Sequence, residues 1–181
     1  MTNLPLVHID AVPQSVEEFL ALRDAIAHTP EGGAAAMVAA LLTFAEGERL
    51  GQQCLAIAVD RETLQEGPNG YDGWQLGIAQ MRLVKGQLRA MPHLPRSYVQ
   101  GTAPENAYRL PAPPYVVACS TNPYSGEPES GTLKVFVACS GADSPRPVTL
   151  KRNNRGIWKA AEWSSLVTGI RPPVADVDDT L

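Results

Sequence analysis

The sequence predicts an α+β protein, with about four N-terminal helices packed on a C-terminal antiparallel sheet of about four strands. Three observations predict it. Apolar residues recur at helical spacing through residues 14–90. Valine-rich runs bounded by turn residues fill 115–166. Between them, residues 91–114 hold six of the sixteen prolines, so neither a helix nor a central strand can persist there. Helices first and strands second argue against alternating βαβ units. At 181 residues, 44% apolar and 19% charged, the chain has globular composition and room for one core. Residues 1–173 are expected to form one domain, followed by an acidic flexible tail at 174–181 that carries Asp176, Asp178 and Asp179.

The first helix is marked by Ser15 and Glu18 as a capping box, with Val16, Phe19, Leu20, Ile26 and Ala27 at helical spacing to about His28. Thr29 and Pro30 then open a second helix as N-cap and first residue. Its stripe of Ala34, Met37, Val38, Leu41, Leu42 and Ala45 is broad, and its alanines permit close packing until Gly47 ends it. A third helix is expected over 48–59, with Leu50, Cys54, Ile57 and Ala58 inward, giving an αα-hairpin. The run Gly67, Pro68, Asn69, Gly70 reads as a turn or loop. A fourth helix over 74–90 is expected to be buried on more than one side. Leu94, Tyr98, Val99, Tyr108 and Leu110 should pin the proline-rich connector to the core. Strands are expected at 115–120, 132–139, 148–152 and 157–162, the last two joined by the hairpin loop 153–156 and all four forming a meander. Leu133, Val135, Val137 and Cys139 share one face of their strand.

Net charge is −4, and the fifteen lysines and arginines form no long run, which disfavours a nucleic-acid surface. The densest basic group, Lys151, Arg152, Arg155 and Lys159, falls on the last hairpin and reads as a solvated face. Residues 1–14 lack a basic and apolar leader, and the apolar stretch 34–45 is too short to span a bilayer, so no membrane is expected and the cytoplasm is the expected location. Three cysteines argue against a disulfide framework. In a simple hairpin Cys119 and Cys139 would lie about five residues, or roughly 17 Å, apart, and all three thiols read as small buried hydrophobes. His8, His28 and His93 have no ligand spacing and there is no Cys-x-x-Cys, so neither metal nor cofactor is expected. No phosphate-cradling or nucleophile motif occurs. An acid/base pair of Glu105 and Asp143 is compelled by no spacing.

Two polar clusters remain as candidate binding residues. One contains Arg96, Tyr98, Glu105, Asn106 and Tyr108, and the other Asn122, Tyr124, Asp143, Ser144 and Arg146. Rigid loops rich in Tyr, Arg and Asn suit interfaces, and equally suit ties between loop backbone and sheet. Arg146, set between Pro145 and Pro147, is aimed; beside Asp143 it is a structural clamp or a recognition point. The leading expectation is a non-enzymatic protein that binds a protein partner or assembles a complex, with toxin neutralisation as one such role. The alternative is a small-molecule site or enzyme with a pocket between sheet and helices.

Several words occur together in one known pattern: TPEGGAAAM at 29–37, AVDR at 58–61, PRSY at 95–98, PEN at 104–106, NPYSG at 122–126, SGADSPRPVTL at 140–150 and RNNRGIWK at 152–159. The chain resembles an uncharacterised bacterial family, a domain of unknown function, over about residues 29–173. That family's pattern has Ser and Gly where this chain has Ala103 and Ala107, and often Ser at Cys139. The departures weigh against any role for a hydroxyl beside Pro104 and against a required thiol at Cys139. The resemblance implies a stand-alone bacterial domain and no particular activity.

Overall fold

Between Glu31 and Glu46 the chain carries no charged side chain, so a helix there has no polar face and must be covered on all sides. The computed structural model, which describes residues 1–174, bears this out. Its elements run β1 (Thr2–Asn3), β2 (Val7–Ile9), α1 (Val16–Ile26), α2 (Pro30–Glu46), α3 (Glu48–Ala58), β3 (Leu64–Tyr71) and β4 (Trp74–Leu76). They continue with α4 (Ile78–Ala90), β5 (Tyr115–Val117), β6 (Cys119–Thr121), β7 (Thr132–Val137), β8 (Arg146–Arg152) and β9 (Trp158–Glu162). Every residue of α2 from Glu31 to Phe44 is buried. The helix runs through the centre of the molecule, touching the other three helices and the inner face of the large sheet. The architecture is α+β, with the helices first and the main sheet after them.

The helix ends follow the capping signals. Ser15 Oγ accepts from the Glu18 N–H, although the Glu18 carboxylate reaches Gln14 N rather than Ser15 N. Thr29 Oγ1 accepts from Gly32 N. A Cβ on Gly33 would stand 2.6 Å from the Trp158 carbonyl oxygen, and one on Gly51 would stand 2.2 Å from Phe44 Cα. Glycine is what lets α2 touch β9 at one point and α3 at another.

The main sheet is antiparallel with order β1-β6-β7-β8-β9, five strands rather than four. The N-terminal residues supply the extra one: Thr2 pairs with Thr121, and Val7 to Ile9 pair with β5. The stretch 115–120 is accordingly two strands in two sheets, because Ala118 breaks it and each half takes its own N-terminal partner. Leu133, Val135 and Val137 point into the core while Lys134 and Ala138 are exposed. Cys119 faces Val137, which puts Cys139 two residues beyond rather than five. The turn Pro128–Ser130 takes up chain on the β7 side of the loop and moves the register. Cys54 and Cys119 are buried, Cys139 is half-buried, and all three are free.

Gly67 to Gly70 form a loop-like bulge within β3, between Glu66 and Tyr71, which both pair with Trp74, and the hairpin itself turns at Asp72 and Gly73, both at positive φ. One helix-side expectation is corrected: Trp74 to Leu76 are strand, so α4 starts at Ile78, and only Val84 and Leu88 of it are buried. The β3–β4 pair covers α3, which takes the partner that a longer α4 would have had. The connector is pinned as expected: Leu94, Tyr98, Val99 and Tyr108 are buried, with short 3-10 turns at Leu94–Tyr98 and Pro104–Asn106. A 3-10 turn, Ser164–Val167, and an extended segment to Val174 then return across the connector. The expected tail lies outside the described residues except for Val174, whose N–H donates to Pro104 O.

Candidate functional site

Arg146 opens β8 beneath the returning C-terminal segment. Its guanidinium donates to the carbonyls of Thr168 (2.7 Å), Gly169 (2.6 Å) and Ser165 (3.4 Å), and to the Tyr98 hydroxyl at 3.3 Å. Tyr98 in turn donates to Leu166 O at 2.7 Å, and burial raises its pKa. Asp143 is not its partner; the carboxylate is almost fully exposed and takes Arg171 at 2.6 Å. Tyr108 donates to Arg171 O, its backbone held at positive φ together with Ala107. Gly141 lies so close to Tyr108 and Ile170 that any Cβ there would stand 2.7 Å from both.

The connector and the 138–145 loop are stitched together. Ser140 N donates to Ser97 O, and the Thr102 and Ser140 hydroxyls lie 2.9 Å apart. Asn106 binds Ala103 N and Gly101 O through its side-chain amide. Ser97 Oγ donates to Leu94 O and lies 3.3 Å from Cys139 Sγ, so the thiol is the donor in that contact. Small clefts of about 260 and 430 Å³ flank the strand end at Cys139. His93 stacks on Tyr108 at 5.2 Å, and burial followed by the nearby Arg96 charge lowers its pKa.

Of the ten candidate residues, the structure gathers Arg96, Tyr98, Glu105, Asn106, Tyr108, Asp143, Ser144 and Arg146 around this platform. Tyr98, Tyr108, Asn106 and Arg146 are engaged with backbone. Arg96, Glu105, Asp143 and Ser144 are exposed on its rim. Asn122 and Tyr124 sit in the loop at the other end of β7. There Asn122 Oδ1 accepts from Tyr124 N, and the Tyr124 ring is 91% exposed.

The family model described as Domain of unknown function (DUF6935) matches residues 11–174. The chain belongs to DUF6935. Among curated proteins and among solved structures, no significant match is found. The left-handed backbone of Ala107 in this DUF6935 member falls where the resemblance expects Gly, a residue that takes that conformation freely.

One place in the DUF6935 fold escaped the sequence reading. Lys159, counted with a solvated basic face, is half-buried in a cleft of about 300 Å³ lined also by Arg23, Arg61, Tyr71, Trp74 and Arg155. Spacing could not have revealed it, because these residues come from α1, the turn after α3, a hairpin whose second strand reads as the start of a helix, the β8–β9 loop and β9. Among the described residues, no helix is long and apolar enough to cross a membrane.

Proposed function

We propose that this DUF6935 member is a bacterial cytoplasmic protein that binds another protein and performs no chemistry, docking through the rim of the connector platform. The observation that carries this reading is the division of roles there. Arg146, Tyr98, Tyr108 and Asn106 fasten the backbone, while Arg96 and Glu105 stand exposed and enter no ion pair among the described residues. Side chains displayed on a fixed backbone lose little freedom on docking. Complex assembly and toxin neutralisation are both uses of such a face. Three unpaired thiols accord with a reducing compartment.

The test is capture from lysate of the native host, comparing wild type with the double charge reversal Arg96→Glu, Glu105→Lys at matched melting temperature. A protein held by wild type and released by the variant is the expected result. Equal retention by both, or no protein retained by either, removes the reading. The small-molecule alternative has one specific observation in its favour, the basic cleft beside Lys159.

A further inference from the structure

β9 is the end strand of the main sheet, and its edge is met by the chain leaving α3. Val59 bridges Ala160 in parallel, and Asp60 N donates to Ala160 O at 2.8 Å. Alternation along β9 sends Trp158 and Ala160 into the core and turns Lys159 the other way, into the cleft beneath the β3–β4 hairpin. Arg23 approaches from α1, Arg61 from the turn after α3, and Arg155 from the β8–β9 loop. The Arg61 guanidinium lies over the Trp74 ring, 4.5 Å from its centre, a cation–π contact.

Four cations from four elements converge on about 300 Å³, in a protein whose net charge is −4. Among the described residues, one of the four is paired with an acid. Asp24 holds Arg23 at 2.8 Å. Glu62 and Asp60 face Lys151, at 3.0 and 3.9 Å, and the buried Asp60 Oδ2 has no hydrogen-bond partner among the described residues. Asp72 is the only acid in the cleft lining. Among the described residues, Arg61, Arg155 and Lys159 have no ion-pair partner. Burial, followed by the Arg23 charge, brings the Lys159 amine down to about 8. Asp24 offsets Arg23 and Asp60 offsets part of the charge on Lys159, but three of the four cations keep no ion-pair partner among the described residues, and an anion seated among them would supply one.

We infer that the cleft bounded by Arg23, Arg61, Arg155 and Lys159 is a binding site for a small phosphate-bearing molecule. Phosphate fits better than carboxylate for geometric reasons. Planar guanidinium forks and an amine arriving from different sides match the divergent oxygens of a phosphoryl group, whereas a carboxylate presents two oxygens in one plane. The volume admits a small metabolite rather than a chain segment. Tyr71 and Trp74 offer ring surface to the remainder of the ligand. This site is built from different elements than the connector platform, so it stands or falls independently of the docking surface there.

The experiment follows intrinsic tryptophan fluorescence, to which Trp74 contributes with Trp158 and Trp163, and thermal melting while inorganic phosphate or phenyl phosphate is titrated at constant ionic strength. Benzoate serves as the carboxylate arm. Saturable binding of phenyl phosphate is expected, with a higher melting temperature, and benzoate should bind at least tenfold more weakly. Lys159→Met and Arg61→Gln should each weaken binding tenfold or more. Two variants guard against one of them failing to fold.

The pH profile supplies a second readout. Lys159 is faced by Arg23, Asp60, Arg61, Tyr71, Asp72 and Arg155, with Lys151 beyond Asp60 and His28 beside the β8–β9 loop. A bound anion favours the protonated amine. Affinity should therefore fall by about tenfold per pH unit above about 8 in wild type, and lose that dependence in Lys159→Met. No saturable effect of either phosphate at about 10 mM, undiminished binding by both variants, or benzoate binding as tightly as phenyl phosphate would overturn the assignment.

Discussion

Arg146 makes its principal contacts to main-chain oxygens, and those carbonyls lose their partner when the side chain is removed. Arg146→Ala should destabilise the protein by about 1–3 kcal/mol, seen as a lower denaturant midpoint at unchanged slope. A melting curve identical to wild type would show that the clamp does not hold the C-terminal segment. Ala107 presents the opposite case, a residue whose own conformation works against it. Its φ of 54° is disfavoured for any side chain bearing a Cβ, so Ala107→Gly should stabilise by about 1 kcal/mol in the same assay. For His93, burial lowers the folded-state pKa below the ordinary 6.5. Above that pH the ring is neutral in both states and nothing is lost. As pH falls through 6.5 the unfolded chain takes the proton first, so stability declines until the folded-state pKa is passed. Melting of wild type against His93→Gln between about pH 7.5 and about pH 5 should show that decline in wild type alone.

Helix contacts separate two glycines that look alike in the sequence. Gly51 of α3 stands against the Phe44 backbone, whereas nothing lies within 4 Å of a Cβ at Gly86 of α4. In both helices alanine gains roughly 1 kcal/mol of propensity. At Gly51 the overlap is with backbone that cannot step aside, so Gly51→Ala should be a net loss of about 1–3 kcal/mol, while Gly86→Ala should be a net gain. Thermal melts of the pair check both signs, and a stabilised Gly51→Ala would mean α2 and α3 are less closely packed than described. The first three helices were legible because the caps of α1 and α2 and the apolar spacing of all three agree with their tertiary partners. The β3–β4 hairpin was not. Gly67, Pro68, Asn69 and Gly70 are turn formers by local chemistry, and they form a bulge in β3 between Glu66 and Tyr71, both of which pair with Trp74; a Cβ at Gly67 or Gly70 would collide with Gln75 or Trp74. The irregular backbone those residues signal was legible, but the pairing on either side of it was not, because it depends on Trp74 to Leu76, whose apolar spacing reads as helix.

Across the whole molecule, the first nine residues act as a strap over two otherwise open edges, β6 through β1 and β5 through β2. Deleting residues 1–9 should leave both edges unpaired and remove the buried Ile9, giving oligomers or loss of soluble protein in size-exclusion chromatography. A monomer of unchanged stability would contradict that role. The strap went unread because strands of two and three residues carry too little alternation to register. The candidate residues were legible as a set, since prolines, Tyr, Arg and Asn in loops mark stiff, bonded backbone. Their separation into fasteners and exposed rim was not legible, because Arg146 and Tyr98 spend their bonds on carbonyls that belong to no recognisable motif. The pairing of Val7 with Val117 also bears on biosynthesis. At roughly 5–20 residues per second, the partner of β2 emerges from the ribosome some 5–20 s after β2 itself. Until then β2 has only α2 to pack against and its backbone donors and acceptors stay unpaired, which makes this strand a segment that a nascent-chain chaperone would cover.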